Sequence, residues 1–320
     1  MLDNASYQAA RHSAAVLKQP WLEGIIRLTG PDRVTWLQGM VTNDVEKLRP
    51  GEGVYAAHLS AQGKLIGQMI ILVDTDEIWL TAETSNAKKL IAAFQPMIVM
   101  EDVTAEDHTG LLESIGVLGT SAKSALELWT GKPLQLEKLY DHFRFNDDCP
   151  HIVRSEMGFT LWVRAGMADA TVQQLASHGA TPIDETLWNV VRVENGLPIY
   201  GVDIDESTSL PELGEKGISY DKGCYIGQEV VARIKYIGHV NRRFVGVVCD
   251  GSDVPQPGSK VRFAGKDVGY ITSSVESPAI HKPISLGFVN RLAAVAGTKV
   301  EVISGDHAIP AVISDLPMVS

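Results

Sequence analysis

The stretch Lys222-Gly223-Cys224-Tyr225-Ile226-Gly227-Gln228-Glu229 sets a cysteine between two glycines, two residues from a lysine and just ahead of a helical pattern. A thiol in such a place is in a reactive setting. A helix N-terminus or a lysine ammonium stabilises the thiolate, the form that attacks electrophiles or binds metal. The glycines keep backbone bulk away from the sulfur. Cys224 is therefore the first candidate catalytic group, with Lys222 tuning it. The plainer reading makes Cys224 a small buried hydrophobe in a Gly-rich turn, as most free cysteines are. Downstream, Val230, Ile234 and Ile237 share one helical stripe, and Glu229 precedes Arg233 by four residues in the favourable acid-before-base order. The alternation Arg233-Ile234-Lys235-Tyr236 also suits a strand.

Composition narrows the classes around this loop. A chain of 320 residues with 45% hydrophobic content is long enough for two or three cores. No apolar run approaches the roughly 18 residues a bilayer span needs. Met1 to Val16 lacks the continuous apolar core of a signal peptide, so a cytoplasmic protein is expected. Cys149, Cys224 and Cys249 are too widely spaced for a disulfide framework and form no C-x-x-C pair. A self-contained iron–sulfur or zinc site is not expected. The nine histidines show no ligand spacing and read as lone surface or core residues, so no metal ligand is assigned. A net charge of -11 opposes broad binding to nucleic acid, which depends on neutralising phosphates. Within that acidic background Lys222, Arg233, Lys235, Arg242 and Arg243 form a local basic segment, either a solvated face or an anion site.

Along the chain, strands are expected at Gly24 to Leu28, Val54 to Ser60, Lys64 to Val73 and Glu77 to Ala82. Helices are expected from Gly30-Pro31-Asp32 through Leu37 and from Asn86 to Gln95. Ile115 to Leu118, Ser121 to Trp129, Thr160 to Arg164 and Asp169 to Ser177 repeat the rhythm, giving an α+β layer architecture. From about Arg243 the texture changes to short β runs punctuated by Gly, Pro and Asp, which predicts a small antiparallel barrel or sandwich. Between these parts, Asp184 to Glu194 reads as a helix carrying Trp188. A helix interior often buries a tryptophan, but the ring also stacks on flat heterocycles, and a carboxylate such as Glu194 accepts two N–H donors from a heterocycle edge.

The octapeptide, with Arg233, Gly238 and Arg242-Arg243 behind it, resembles the signature of the YgfZ family of folate-binding proteins. Leu37-Gln38-Gly39-Met40-Val41-Thr42-Asn43-Asp44 resembles that family's N-terminal element, and Trp188 to Pro198 its central helix and turn. The same segments resemble the T-protein of the glycine cleavage system. The resemblance implies an α+β, two-part folate-binding body with the aminomethyltransferase fold over residues 1–242, and a small C-terminal antiparallel β-barrel over 243–320. It implies tetrahydrofolate or a folate derivative as cofactor, with Trp188, Glu194 and Arg233 as contacts. Trp21 lies near a second folate-contacting tryptophan of the family, though out of register. The function implied is a tetrahydrofolate-binding accessory protein in the assembly or repair of iron–sulfur enzymes, including tRNA-modifying ones, with those enzymes or assembly proteins as partners. The alternatives are a folate-dependent one-carbon transferase, such as an aminomethyltransferase or demethylase, and a folate-binding module whose Cys224 is structural. One departure bears on the choice. Where the T-protein strand carries an acidic pair, this chain has Gly67-Gln68, and glutamine hydrogen-bonds but does not ionise. Glycine cleavage chemistry is therefore not expected.

Overall fold

The computed structural model describes residues 3–319, so the outermost residues of the expected spans 1–242 and 243–320 lie outside it. The chain forms two compact units, Met1–Glu185 with Lys216–Val230, and Thr186–Glu215 with Val231–Ser320.

The first unit is built on two sheets. One runs, in spatial order, Glu52–Leu59, Leu65–Val73, Ile78–Ala82, Gly24–Thr29 and Thr104–Asp107, antiparallel throughout. Helices Arg33–Met40 and Ala87–Phe94 cover one face, where Ile26, Leu28, Ile71, Ile78 and Leu80 meet Trp36, Leu37, Leu90 and Phe94. The alternate residues Ile25, Leu72 and Trp79 face the other way. The second sheet runs Thr181–Pro182, Ala15–Lys18, Leu112–Leu118, Gly158–Arg164, His151–Ser155 and His142–Phe143. Its helices Ala122–Thr130 and Ala168–Ser177 bury Leu126 and Leu175 against Val117, Leu161 and Val163. Its opposite face brings Leu112, Val153 and Trp162 against the free face of the first sheet. The layers are thus helices, sheet, sheet, helices. Because Leu65–Val73 is covered on both faces, it reads as a nearly unbroken apolar run. Trp162, fully buried between the sheets, would cost about 3–5 kcal/mol if cut to alanine.

The second unit is a closed six-stranded barrel in the order Arg242–Cys249, Lys282–Asn290, Lys266–Ser277, Lys260–Phe263, Lys299–Ser304 and His307–Ser314. Neighbouring strands are antiparallel, and the register shifts at Val261/Arg262 and Ile271/Ser273. Such bulges bend strands to let a small barrel close. Val245, Val247, Ile271, Val302 and Ile313 fill the interior. Helix Glu185–Glu194 is fastened to this barrel by a buried ion pair: Arg192 Nη1 lies 2.7 Å from Asp203 Oδ2, Arg192 Nη2 donates to Ser273 Oγ, and Thr272 and Ser273 hydroxyls donate to Asp203 Oδ1. A buried charge is costly unless paired and hydrogen-bonded, and here both partners are. No helix among the described residues is long and apolar enough to cross a membrane.

Candidate functional site

The octapeptide folds in the first unit as a loop clamped on the C-terminal end of helix Arg33–Met40. Lys222 Nζ donates to the carbonyls of Gln38, Val41 and Asn43, each at 2.7 Å. The last carbonyls of a helix lack intrahelical partners and form the negative end of its dipole, so a cation is favoured there. Ile226 N–H donates to Gly39 O at 3.2 Å, Ser219 N–H to Thr42 O at 3.0 Å, and the Thr42 hydroxyl to Gly217 O at 2.6 Å. Two of the three segments that carried the sequence resemblance, far apart in the chain, are therefore one folded joint. An ammonium has three donors. All three are spent on carbonyls, so the ammonium has no hydrogen left to donate to the Cys224 thiol. Burial pushes the Lys222 ammonium down to about 8, against the opposing pull of Asp44 and Glu46.

Cys224 itself is exposed, which corrects the reading of it as a buried packing residue. Cys149 and Cys249 are buried, and burial pushes their thiols up to about 12 and about 11. Of the two flanking glycines, Gly227 is the one the fold requires. Its φ is +84°, and a Cβ there would stand 2.7 Å from the carbonyl oxygen of Ser60, whereas a Cβ on Gly223 would meet nothing within 4 Å. Helix Gln228–Tyr236 follows the loop. Its buried residue is Val231 rather than the stripe Val230, Ile234, Ile237, and Ile237 lies exposed just past its end. The basic segment is partly neutralised: Lys235 pairs with Glu215, and Arg242 with Glu212 while donating to the Tyr270 hydroxyl. Arg233 and Arg243 stay exposed.

The place of the missing acid is also in the first unit. Gln68 is buried, donates Nε2 to Glu83 Oε1 at 2.6 Å and accepts from the Tyr55 hydroxyl at 2.8 Å. The strand register explains the meeting. Ile70 lies opposite Thr81, and two residues further along the antiparallel pair Gln68 faces Glu83. Glu83 is 5% exposed, a carboxylate out of water and next to the amide. Trp21 lies beside the same segment: its carbonyl accepts from Thr84 N–H at 2.8 Å, and the Thr84 hydroxyl donates to Pro20 O. Burial raises the Tyr55 phenol and keeps it protonated as a donor. Sequence reading missed Glu83 because no motif marks it; only the strand pairing does.

In the second unit, helix Glu185–Glu194 carries Trp188 and Glu194, both buried. Glu194 Oε1 accepts from the Ser277 hydroxyl at 2.5 Å, and Glu194 O accepts from Met318 N–H at 2.8 Å. Six residues of α-helix are about 600° of turn, so the Trp188 and Glu194 side chains leave the axis about 120° apart. They therefore present two different faces of one helix. As a donor set, a buried carboxylate matches the paired N–H edge of a pterin, and a tryptophan ring matches its flat face, so the residue types fit a folate.

Comparison with known proteins agrees with this architecture. Residues 3–218 match the GCVT N-terminal domain and residues 242–320 the glycine cleavage T-protein C-terminal barrel domain. The aminomethyltransferase of Nostoc sp. is 26% identical, over 97% of this chain and 86% of its own. That of Chloroherpeton thalassium is 29% identical, over 83% and 76%. The solved structure of glycine cleavage system aminomethyltransferase T from Bartonella henselae has a TM-score of 0.88 at 20% identity, over 98% of this chain and 89% of that one, a likeness of fold. Both parts of the chain match in order, and the chain belongs to the glycine cleavage T-protein family, with its GCVT N-terminal domain followed by its C-terminal barrel domain.

Proposed function

We propose that this protein binds tetrahydrofolate and acts on a one-carbon unit carried by it, as a folate-dependent one-carbon transferase. The observation that supports this most is Glu83. A buried carboxylate hydrogen-bonded to Gln68 supplies, from the neighbouring strand, the ionisable group that Gly67-Gln68 lacks. Such a group stabilises positive charge developing on a bound amine or takes its proton. The likeness, over most of the chain, to proteins named aminomethyltransferase points the same way. Folate, when bound, supplies the nitrogens that carry the one-carbon unit. Within the second unit Glu194 and Trp188 are the candidate pterin contacts and Arg233 the candidate partner of an anionic tail; within the first unit Gln68 and Tyr55 orient Glu83. Calorimetry with tetrahydrofolate tests the binding step: loss of about 1–3 kcal/mol is expected in Trp188→Ala, by analogy with base stacking on aromatic rings. Glu194→Gln should also weaken it. An assay of one-carbon transfer from an aminomethyl donor to tetrahydrofolate tests the chemistry, with turnover in the wild type and loss in Glu83→Gln. Binding without turnover would reject the transferase reading.

A second reading has its own observation. The exposed Cys224 on the octapeptide fits an accessory role of the YgfZ type in the assembly or repair of iron–sulfur enzymes, including tRNA-modifying ones. Iron–sulfur enzyme activity in a deletion strain, complemented by the wild type and not by Cys224→Ser, would support it. Full complementation by Cys224→Ser would remove the thiol from the function.

A further inference from the structure

We propose that Asp74, His142 and His151 form a binding site for a divalent first-row transition cation, Zn2+ by its ligand set, independent of the folate reading. Their ligand atoms all lie within 4.8 Å of one another. His142 Nε2 is 3.3 Å from Asp74 Oδ1 and His151 Nε2 is 3.0 Å from Asp74 Oδ2. Zinc–nitrogen and zinc–oxygen bonds of about 2.0–2.2 Å at tetrahedral angles separate neighbouring ligand atoms by about 3.3–3.5 Å. The two carboxylate–imidazole distances are therefore within a few tenths of an ångström of a metal-site edge, and the imidazole–imidazole edge lies within 4.8 Å. Two imidazoles and one carboxylate, with a remaining position for water, is a set that zinc and ferrous iron both accept.

The fold builds this cluster from three places. Asp74 ends strand Leu65–Val73 and its N–H closes a turn onto Glu77 O at 2.9 Å. Gly51 ties it to the second sheet, donating to Val73 O and accepting from His142 N–H, with a φ of +90° that favours glycine. His151 stands opposite Trp162 in the strand pair and is ringed by Trp162 and Trp79 at centroid distances of 4.9 and 5.4 Å. Both imidazole side chains are fully buried while Asp74 keeps some exposure, which gives solvent one side of the cluster. The outer nitrogens, Nδ1 of His142 and of His151, are buried with no hydrogen-bond partner. Hydrogen bonding to Asp74 thus accounts for only one end of each buried ring. That end, Nε2, is where all three side chains converge, and a cation held by both Nε2 atoms and an Asp74 oxygen would take the place of those hydrogen bonds. Glu77, in the same turn, is held by Arg27 at 2.6 Å and Arg144 at 2.8 Å and stays outside the ligand set.

The test uses the full chain in a Cys224→Ser background, which removes the exposed thiol as a competing ligand. Chelator-stripped protein is titrated with Co2+ and then Zn2+, following visible absorption, quenching of tryptophan fluorescence and metal content by mass spectrometry. About one equivalent of Co2+ should bind, quench the adjacent tryptophans and be displaced by Zn2+. Asp74→Asn and His151→Gln should each weaken binding more than about 100-fold, since loss of an outer partner alone weakens metal sites 10–100-fold. His307→Gln, at an exposed barrel position, should leave it unchanged. Should the His151 variant misfold, Asp74→Asn, which is isosteric, decides alone. Folded wild type that takes up no ion at micromolar concentration, or uptake undiminished in Asp74→Asn, overturns the proposal.

Discussion

Replacing Lys222 with methionine separates a structural lysine from a catalytic one. The structure gives the ammonium three 2.7 Å bonds to carbonyls at the end of helix Arg33–Met40. A hydrogen bond to a charged group contributes about 1.5–3 kcal/mol net. Three bonds sharing one charge do not add, and water screens a side chain that is only about half buried. The expected loss is therefore about 2–4 kcal/mol. For a chain of 320 residues that lowers the apparent Tm by about 3–6 °C. Thermal and urea unfolding followed by circular dichroism measure the loss, and the native-state alkylation rate of Cys224 is read on the same samples. A fastening lysine gives a destabilised protein whose Cys224 alkylates no more slowly than before. Stability within about 0.5 kcal/mol of wild type, together with slower alkylation of Cys224 at neutral pH, would refute the reasoning and return Lys222 to the thiol.

Iodoacetamide should label Cys224 first, with Cys149 and Cys249 reacting only on unfolding because they are buried and their thiols are pushed up; peptide mapping across a time course checks the order. His58 is buried, donates through Nδ1 to Met40 O at 2.7 Å, and has its pKa lowered by desolvation. Between that lowered value and about 6.5 the unfolded chain binds the extra proton, so stability should rise with pH across this window. His58→Gln should flatten the rise, and an unchanged slope in urea melts at stepped pH would assign it to other groups. Gln68→Glu sets two carboxylates in contact, and such a pair retains a proton when folded that the unfolded chain has lost. Its folded pKa is raised, so its stability relative to wild type should fall as pH rises above about 4.3, by about 1–3 kcal/mol at neutral pH.

Much of the layer structure was legible in the sequence because periodicity and turn residues are local. Strand Leu65–Val73, helix Ala87–Phe94 and the barrel strands stand close to their expected positions. Strands His142–Phe143 and His151–Ser155 were not legible, since two to five residues carry too little alternation to register. With them went the cluster at Asp74, whose partners lie 68 and 77 residues away. The destination of Lys222 was hidden for the same reason: a lysine near a cysteine suggests a local pair, and its partners are 179 to 184 residues distant. Exposure of Cys224 followed from packing that no glycine spacing encodes. The stripe Val230, Ile234, Ile237 failed because a nine-residue helix buries little, and Val231 is its one buried residue.

The absent acid pair and the buried Glu83 are one fact about packing. A side chain at position 67 has no room, since a Cβ on Gly67 would stand 2.2 Å from Asn86 Nδ2 and 2.8 Å from Leu90 Cδ2, atoms at the start of helix Ala87–Phe94. Position 68 points to the other face, where Glu83 from the next strand already places a carboxylate. An acid at 68 would therefore compete with Glu83 rather than add to it. The exchange Gln68→Glu with Glu83→Gln keeps one acid, one amide and the hydrogen bond between them. If the pair acts as a unit, the double variant should recover to within about 1 kcal/mol of wild type from the loss in Gln68→Glu alone, a coupling that a double-mutant cycle reads directly. Additive losses in the two single variants would mean that Gln68 and Glu83 are independent, and that Glu83 is not held in place by its neighbour.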